Sequence, residues 1–144
     1  KQSHEVVQDL ADAANDTALK NALKAGVAGI EDGMNTMAEI VKAHDADPTD
    51  EHCKGMEGLV NEARAHGLDA DFGDSDAQDA MIITQYQRMA HYAIAGYGCC
   101  KQFAERLGLE DDKAKIAECL DASYDGDRTM TEIAVGRVNP AAAA

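Results

Sequence analysis

The chain has 144 residues, enough for one domain with a single core of ordinary size. Its net charge of −14 repels nucleic acid and anionic lipid, which excludes both as partners. Alanine, leucine and methionine are plentiful, aromatic residues are few, and the two prolines lie outside the long helical patterns, so the composition reads as all-α.

In chain order, the first helical segment covers about 2–14, with Val6, Val7, Leu10 and Ala14 on one stripe. Asn15, Asp16 and Thr17 break it and supply capping side chains. The second helix is expected over about 17–44, on a stripe of Leu19, Leu23, Val27, Ile30, Met34, Met37 and Val41. A polar loop around Pro48 ends it. A short helix over about 52–66 follows, with Gly67 expected as its left-handed C-terminal stop.

The third long helix is expected over about 76–107. Ser75 and Gln78 form a possible capping box at its start, and Gly108 stops it. The fourth, about 110–137, opens on Glu110, Asp111 and Asp112, whose charges favour a helix N-terminus. The sequence predicts one domain over 1–138, a C-terminal tail over 139–144, and four antiparallel helices with the short one inserted between the second and third.

No apolar run approaches the roughly 20 residues that a membrane span needs. Cys53, Cys99, Cys100 and Cys119 contain no C-x-x-C pair, so a zinc site is not expected. They read as reduced thiols of a cytoplasmic protein, mostly small core residues. The chain starts at Lys1 without a methionine, and the expectation is that it begins partway through a longer product.

The third helix also carries a recognisable pattern. Asp79-Ala80-Met81-Ile82-Ile83, Gln85, and His91-Tyr92-Ala93-Ile94-Ala95-Gly96-Tyr97-Gly98 resemble the third helix of the YciE/YciF-like ferritin-like family. Cys53-Lys54-Gly55-Met56-Glu57-Gly58-Leu59 resembles its short helix. Ala104 to Gly108 resembles the end of its third helix, and Leu120, Asp121, Asp127, Met130 and Thr131 track its fourth. The resemblance covers nearly the whole chain. It implies a ferritin-like antiparallel four-helix bundle whose centre holds two metal ions through inward carboxylates and histidines. This sequence departs from the pattern at those positions. Ala90 and Ala93 stand where the family has glutamates, Gly26, Gly29 and Gly33 fall where its second helix carries ligands, and Ala122 and Ser123 interrupt its fourth-helix acidic run.

The resemblance therefore implies a non-catalytic bundle without cofactor, structural, self-associating or stress-related. The competing reading is a metal-binding ferritin-like oxidase or iron-binding protein with a rebuilt site. Glu31, Glu57, His91 and Asp127 are the candidate metal ligands in that case. A homodimer is expected, with room for a further protein partner.

The three glycines of the second helix each cost about 0.8–1 kcal/mol relative to alanine. Close approach of Ala90, Ala93 and Gly96 is the favoured explanation, over a vacated centre that admits a ligand. His91 reads as structural rather than as a ligand. Gln85 and Tyr92 are expected in a buried polar cluster with Glu57 as partner.

Overall fold

The computed structural model describes residues 1–143, and among them there is no strand. The helices are α1 (Gln2–Ala13), α2 (Thr17–Ala43), α3 (Lys54–Ala63), α4 (Ser75–Leu107), α5 (Glu110–Ile133) and α6 (Asn139–Ala142). Wide π turns, Arg64–Leu68 and Ala134–Val138, continue α3 and α5.

Helix ends follow local chemistry. The Asp16 carboxylate accepts the Leu19 N–H at 2.9 Å and caps α2. Gly108 takes φ 72°, the left-handed conformation that closes α4. Two expected ends are corrected. Asp74, not Ser75, caps α4, by accepting the Asp76 N–H at 2.8 Å, while the Gln78 side chain reaches the Gly67 carbonyl at 3.3 Å instead of closing a box. Gly67 is not a left-handed stop. It is buried in a π turn, where a Cβ would sit 3.0 Å from Leu10 Cδ2, so it serves the approach of this turn to α1.

Of the tail expected over 139–144, the structure describes residues 139–143. Residues 139–142 are helical and run on from α5, tethered by buried Ala134 and Val138. Pro140 falls at the start of α6, where its missing N–H costs little. Ala144 lies outside the described residues.

α1 packs on α2 and α3, α4 runs along α5, α2 lies on α5, and α3 lies on α4. The joints are pinned by polar contacts. Asp79 is fully buried, and its carboxyl group accepts the backbone N–H groups of Asn15 at 2.8 Å and Asp16 at 2.7 Å. Arg137 donates to the outer oxygen of Asp16 at 2.8 Å, tying the end of the chain to the α1–α2 corner.

Apolar burial is split. The larger core gathers Val6, Val7, Leu10, Leu19, Leu23, Ile82, Ile83, Met89 and Met130 at one end. A smaller cluster of Ile40, Ala104 and Ile116 closes the other end. The apolar stripe expected along α2 is therefore buried at Leu19 and Leu23 but only partly covered from Val27 to Val41. The cysteines are not core residues, contrary to expectation: Cys53 and Cys99 are exposed, and Cys100 and Cys119 half-buried. No helix is long and apolar enough to cross a membrane among the described residues.

Candidate functional site

Between the two cores lies a cavity of about 720 Å³, formed where α2, α4 and α5 face one another. Its α2 wall is Gly26, Gly29, Ile30, Gly33, Met34 and Met37. The α4 wall includes Tyr86, Ala93, Gly96, Tyr97 and Cys100, and the α5 wall Cys119, Ala122, Ser123, Gly126 and Met130. Gln2, Ser3, Cys53, Met56 and Tyr92 rim one end.

The small residues do not all serve one purpose. A Cβ on Gly26 would stand 2.9 Å from the Tyr86 hydroxyl, as would one on Gly126, so the phenol is wedged between two glycines of facing helices. A Cβ on Gly33 would meet the Tyr97 hydroxyl at 2.6 Å. Around Gly29 and Gly96 a Cβ would meet nothing within 4 Å. The expected close packing of Ala90, Ala93 and Gly96 on the α2 glycines is thus corrected: tyrosines fill two positions, and the space at Gly29 is open.

Tyr86 is buried, at 8 % exposure, and lines the cavity. Burial, with the negative charge of Asp127 nearby, raises its pKa, so it is a neutral donor at physiological pH. Burial does the same for Tyr97, helped by Cys119 and Cys100. At the rim, Cys53 Sγ lies 3.1 Å from the Tyr92 hydroxyl and 3.4 Å from the Met56 N–H that it caps. The tyrosine hydrogen bond, then the backbone one, hold the thiol below its ordinary value.

The four candidate ligands do not converge. His91 Nε2 lies 3.1 Å from Asp127 Oδ1, which also accepts from Gln87 Nε2 at 3.0 Å, so these two share the α4–α5 seam. Glu57 is paired instead with His52 at 3.3 Å, and Glu31 is exposed on α2. The polar cluster expected of Gln85, Tyr92 and Glu57 is likewise dispersed. Gln85 is buried, but it accepts from Arg88 at 3.2 Å and its amide meets Met81 Sδ at 3.3 Å, while Tyr92 is largely exposed and turns to Cys53. Periodicity placed Gln85 correctly inside, but it does not report on which neighbour reaches a polar group. The missed residues are Tyr86 and Tyr97. Their signal in the sequence is a three-turn spacing along α4, opposite glycines on α2.

Residues 1–143 match the family described as a domain of unknown function, DUF892. The chain belongs to that family. Within DUF892, 87 residues are 32% identical to protein YciF of Escherichia coli (strain K12), covering 60% of this chain and 51% of that protein. The chain thus spans about half the length of the curated relative that it matches. Its fold is similar to the crystal structure of the E. coli stress protein YciF, with a TM-score of 0.85 and 26% identity over 94% of this chain and 85% of that one. YcfI from Rhodopseudomonas palustris is similar in fold, with a TM-score of 0.82 and 21% identity over 89% and 80% of the two chains.

The ferritin-like resemblance implies a pair of metal ions at the centre, and the lining does not fit them. Among the described residues, Asp125 is the one carboxylate lining the cavity, and no histidine does. Nor do any three His, Cys, Asp or Glu side chains of the described residues gather as a ligand set.

Proposed function

We propose that this DUF892 protein is a non-catalytic, ferritin-like antiparallel four-helix bundle, structural, self-associating or stress-related, that has given up the ligands of a di-iron centre. The observation that carries this reading is the lining at Gly29, Ala93 and Ala122, where carboxylates would have to stand. A di-iron pair brings about four positive charges into a low-dielectric interior, and burying them without several anionic ligands costs too much. Support for a structural or stress role comes from relatives: E. coli YciF is described as a stress protein, and YcfI as a candidate structural protein.

Self-association as a homodimer fits the outer surface. Phe103 and Leu107 sit one turn apart near the end of α4 at 66% and 71% exposure, an apolar pair that dimer contact would cover. A cytoplasmic setting, without nucleic acid or membrane as partner, accords with the acidic surface.

One observation favours the second reading, a metal-binding bundle with a rebuilt site. His91 and Asp127 are within 3.1 Å of each other and could form half of a coordination sphere. Anaerobic Fe(II) addition followed by air separates the two readings. The expected outcome is no diferric absorption band and no iron, manganese or zinc retained near stoichiometry. A band at two irons per chain, or stoichiometric metal lost in His91→Ala, overturns the first reading. Sedimentation of the same sample reads the dimer, and a clean monomer at micromolar concentration removes it.

A further inference from the structure

The groove between the cores is poor in carboxylates and imidazoles and rich in sulfur. Four of the chain's six methionines and three of its four cysteines line it, and Met81, Met89 and Cys99 are the ones that do not. The sulfur converges at the end nearer the smaller core. There Cys100 of α4 and Met37 of α2 pack on Ile40, Ala104 and Ile116. The antiparallel pairing of α4 and α5 brings Cys119 to the same level. From Gln87–Thr131 through His91–Asp127 to Glu105–Lys113, every residue gained on α4 is matched by one lost on α5, which sets Cys100 level with residues 118 and 119. Thr36, next to Met37 on α2, stands beside the Cys119 thiol, and Tyr97 lies close to both cysteines. Three helices thus present two thiols and a thioether to one end of the groove. We propose that Cys100, Cys119 and Met37 form a binding site for a soft monovalent cation, Cu(I).

Donor chemistry selects the ion. Thiolate and thioether sulfur are the ligands that favour Cu(I). The hard ions of a ferritin-like centre ask for several carboxylates and imidazoles, which this lining does not supply. Structural Zn²⁺ sites close a tetrahedron of Cys and His ligands, and among the described residues no third His, Cys, Asp or Glu joins the two thiols. Cu(I) is satisfied by a lower coordination number. Capture breaks both S–H bonds, forms two Cu–S bonds and releases two protons to solvent. Copper stays Cu(I) throughout, so no oxidant or reductant takes part. Cys100 and Cys119 are half-buried, which leaves them open to an arriving ion. Burial raises the pKa of the Cys119 thiol, so protons compete with the metal there and capture strengthens as pH rises. The Tyr97 hydroxyl, kept protonated by burial, is a donor for the extra negative charge that two thiolates leave on the bound ion.

The test offers Cu(I) anaerobically as its coloured bicinchoninate complex and follows the loss of that colour. The chain is expected to withdraw copper to a stoichiometric end point, with an ultraviolet thiolate-to-copper band growing in step. Cys100→Ser and Cys119→Ser are each expected to weaken capture by about a hundredfold, and Met37→Leu, which keeps the volume, by about tenfold. Cys53→Ser and Cys99→Ser, at exposed thiols, are expected to leave it unchanged. A second measurement needs no variant. The unmodified protein is alkylated with and without copper and each cysteine is read by peptide mass spectrometry. Copper is expected to protect Cys100 and Cys119 and to leave Cys53 and Cys99 reactive. No copper withdrawn from the chelator overturns the inference, as does capture that survives loss of both Cys100 and Cys119. So does protection confined to Cys53 or Cys99, which assigns the metal to surface thiols. Iron and its oxidation do not enter these readouts, so this inference and the preceding reading fail separately.

Discussion

Asp79 has no exposed surface, and its carboxyl group holds the corner between α1 and α2 from a residue more than sixty positions away. Both oxygens are used, one on each of two successive backbone N–H groups that α1 and α2 leave over at their junction. Removing the acceptor strands two donors, each costing about 1–3 kcal/mol when buried. Asp79→Ala is therefore expected to lower the unfolding free energy by about 3 kcal/mol in urea titration, while Asp121→Ala, on the exposed face of α5, changes it by less than about 0.5 kcal/mol. A loss at Asp79 no larger than at Asp121 contradicts the corner role. The motif around Asp79 was legible in the sequence as part of a family pattern, but its partners were not. An aspartate followed by an apolar run gives no sign, in period or propensity, of backbone groups waiting for it across the fold. The same limit explains Gln85 and Tyr92, whose positions on the third helix were read and whose partners were not.

Along α2, one kind of residue does two kinds of work. Gly26 is held against the Tyr86 ring, with the hydroxyl at 2.9 Å and Cε2 at 3.0 Å from where a Cβ would stand, and Gly126 closes the other side of that phenol. Tyr86 thus cannot withdraw without leaving its wedge. Gly29, one turn on, has open space, so a methyl there restores helix propensity without a collision. Gly26→Ala is expected to destabilise by about 1–3 kcal/mol through overpacking, whereas Gly29→Ala stabilises the 144-residue chain by about 0.5–1 kcal/mol. Thermal unfolding of the two variants checks the pair, and shifts of the same sign sink the distinction. Helix positions were the most legible feature of this protein, because Leu19, Leu23, Ile82, Leu120 and Met130 repeat at helical steps and Asp16 and Gly108 mark ends. The space opposite Gly29 was not legible, since a glycine stripe has the same sequence whether a neighbour fills it or not.

At the scale of the whole molecule, the groove divides stability unequally. The end built from α1, the start of α2, the start of α4 and the end of α5 holds nearly all fully buried side chains, among them Leu10, Leu19, Leu23, Ile82 and Met130. Each contributes about 1.5–3 kcal/mol through burial of its side chain. The opposite end has Ile40, Ala104 and Ile116, with Met37, Tyr97, Cys100 and Leu109 partly covered around them. Its polar fastenings lie at the surface: His44 to Asp112 at 2.7 Å, and Lys113 to Glu105 and Glu110 at 3.2 and 3.3 Å. Exposed pairs of this kind contribute little and weaken with salt. Local opening is governed by buried contacts, so the two ends should not open together. In native-state hydrogen exchange, amides of residues 36–42, 98–106 and 114–121 are expected to exchange through openings that cost less than global unfolding. Amides of residues 19–24, 82–89 and 128–133 are expected to approach the global value. Uniform protection along α4 in the 144-residue chain would mean that the small cluster is coupled to the large core across the groove, and that the division drawn here from burial does not govern how the molecule opens.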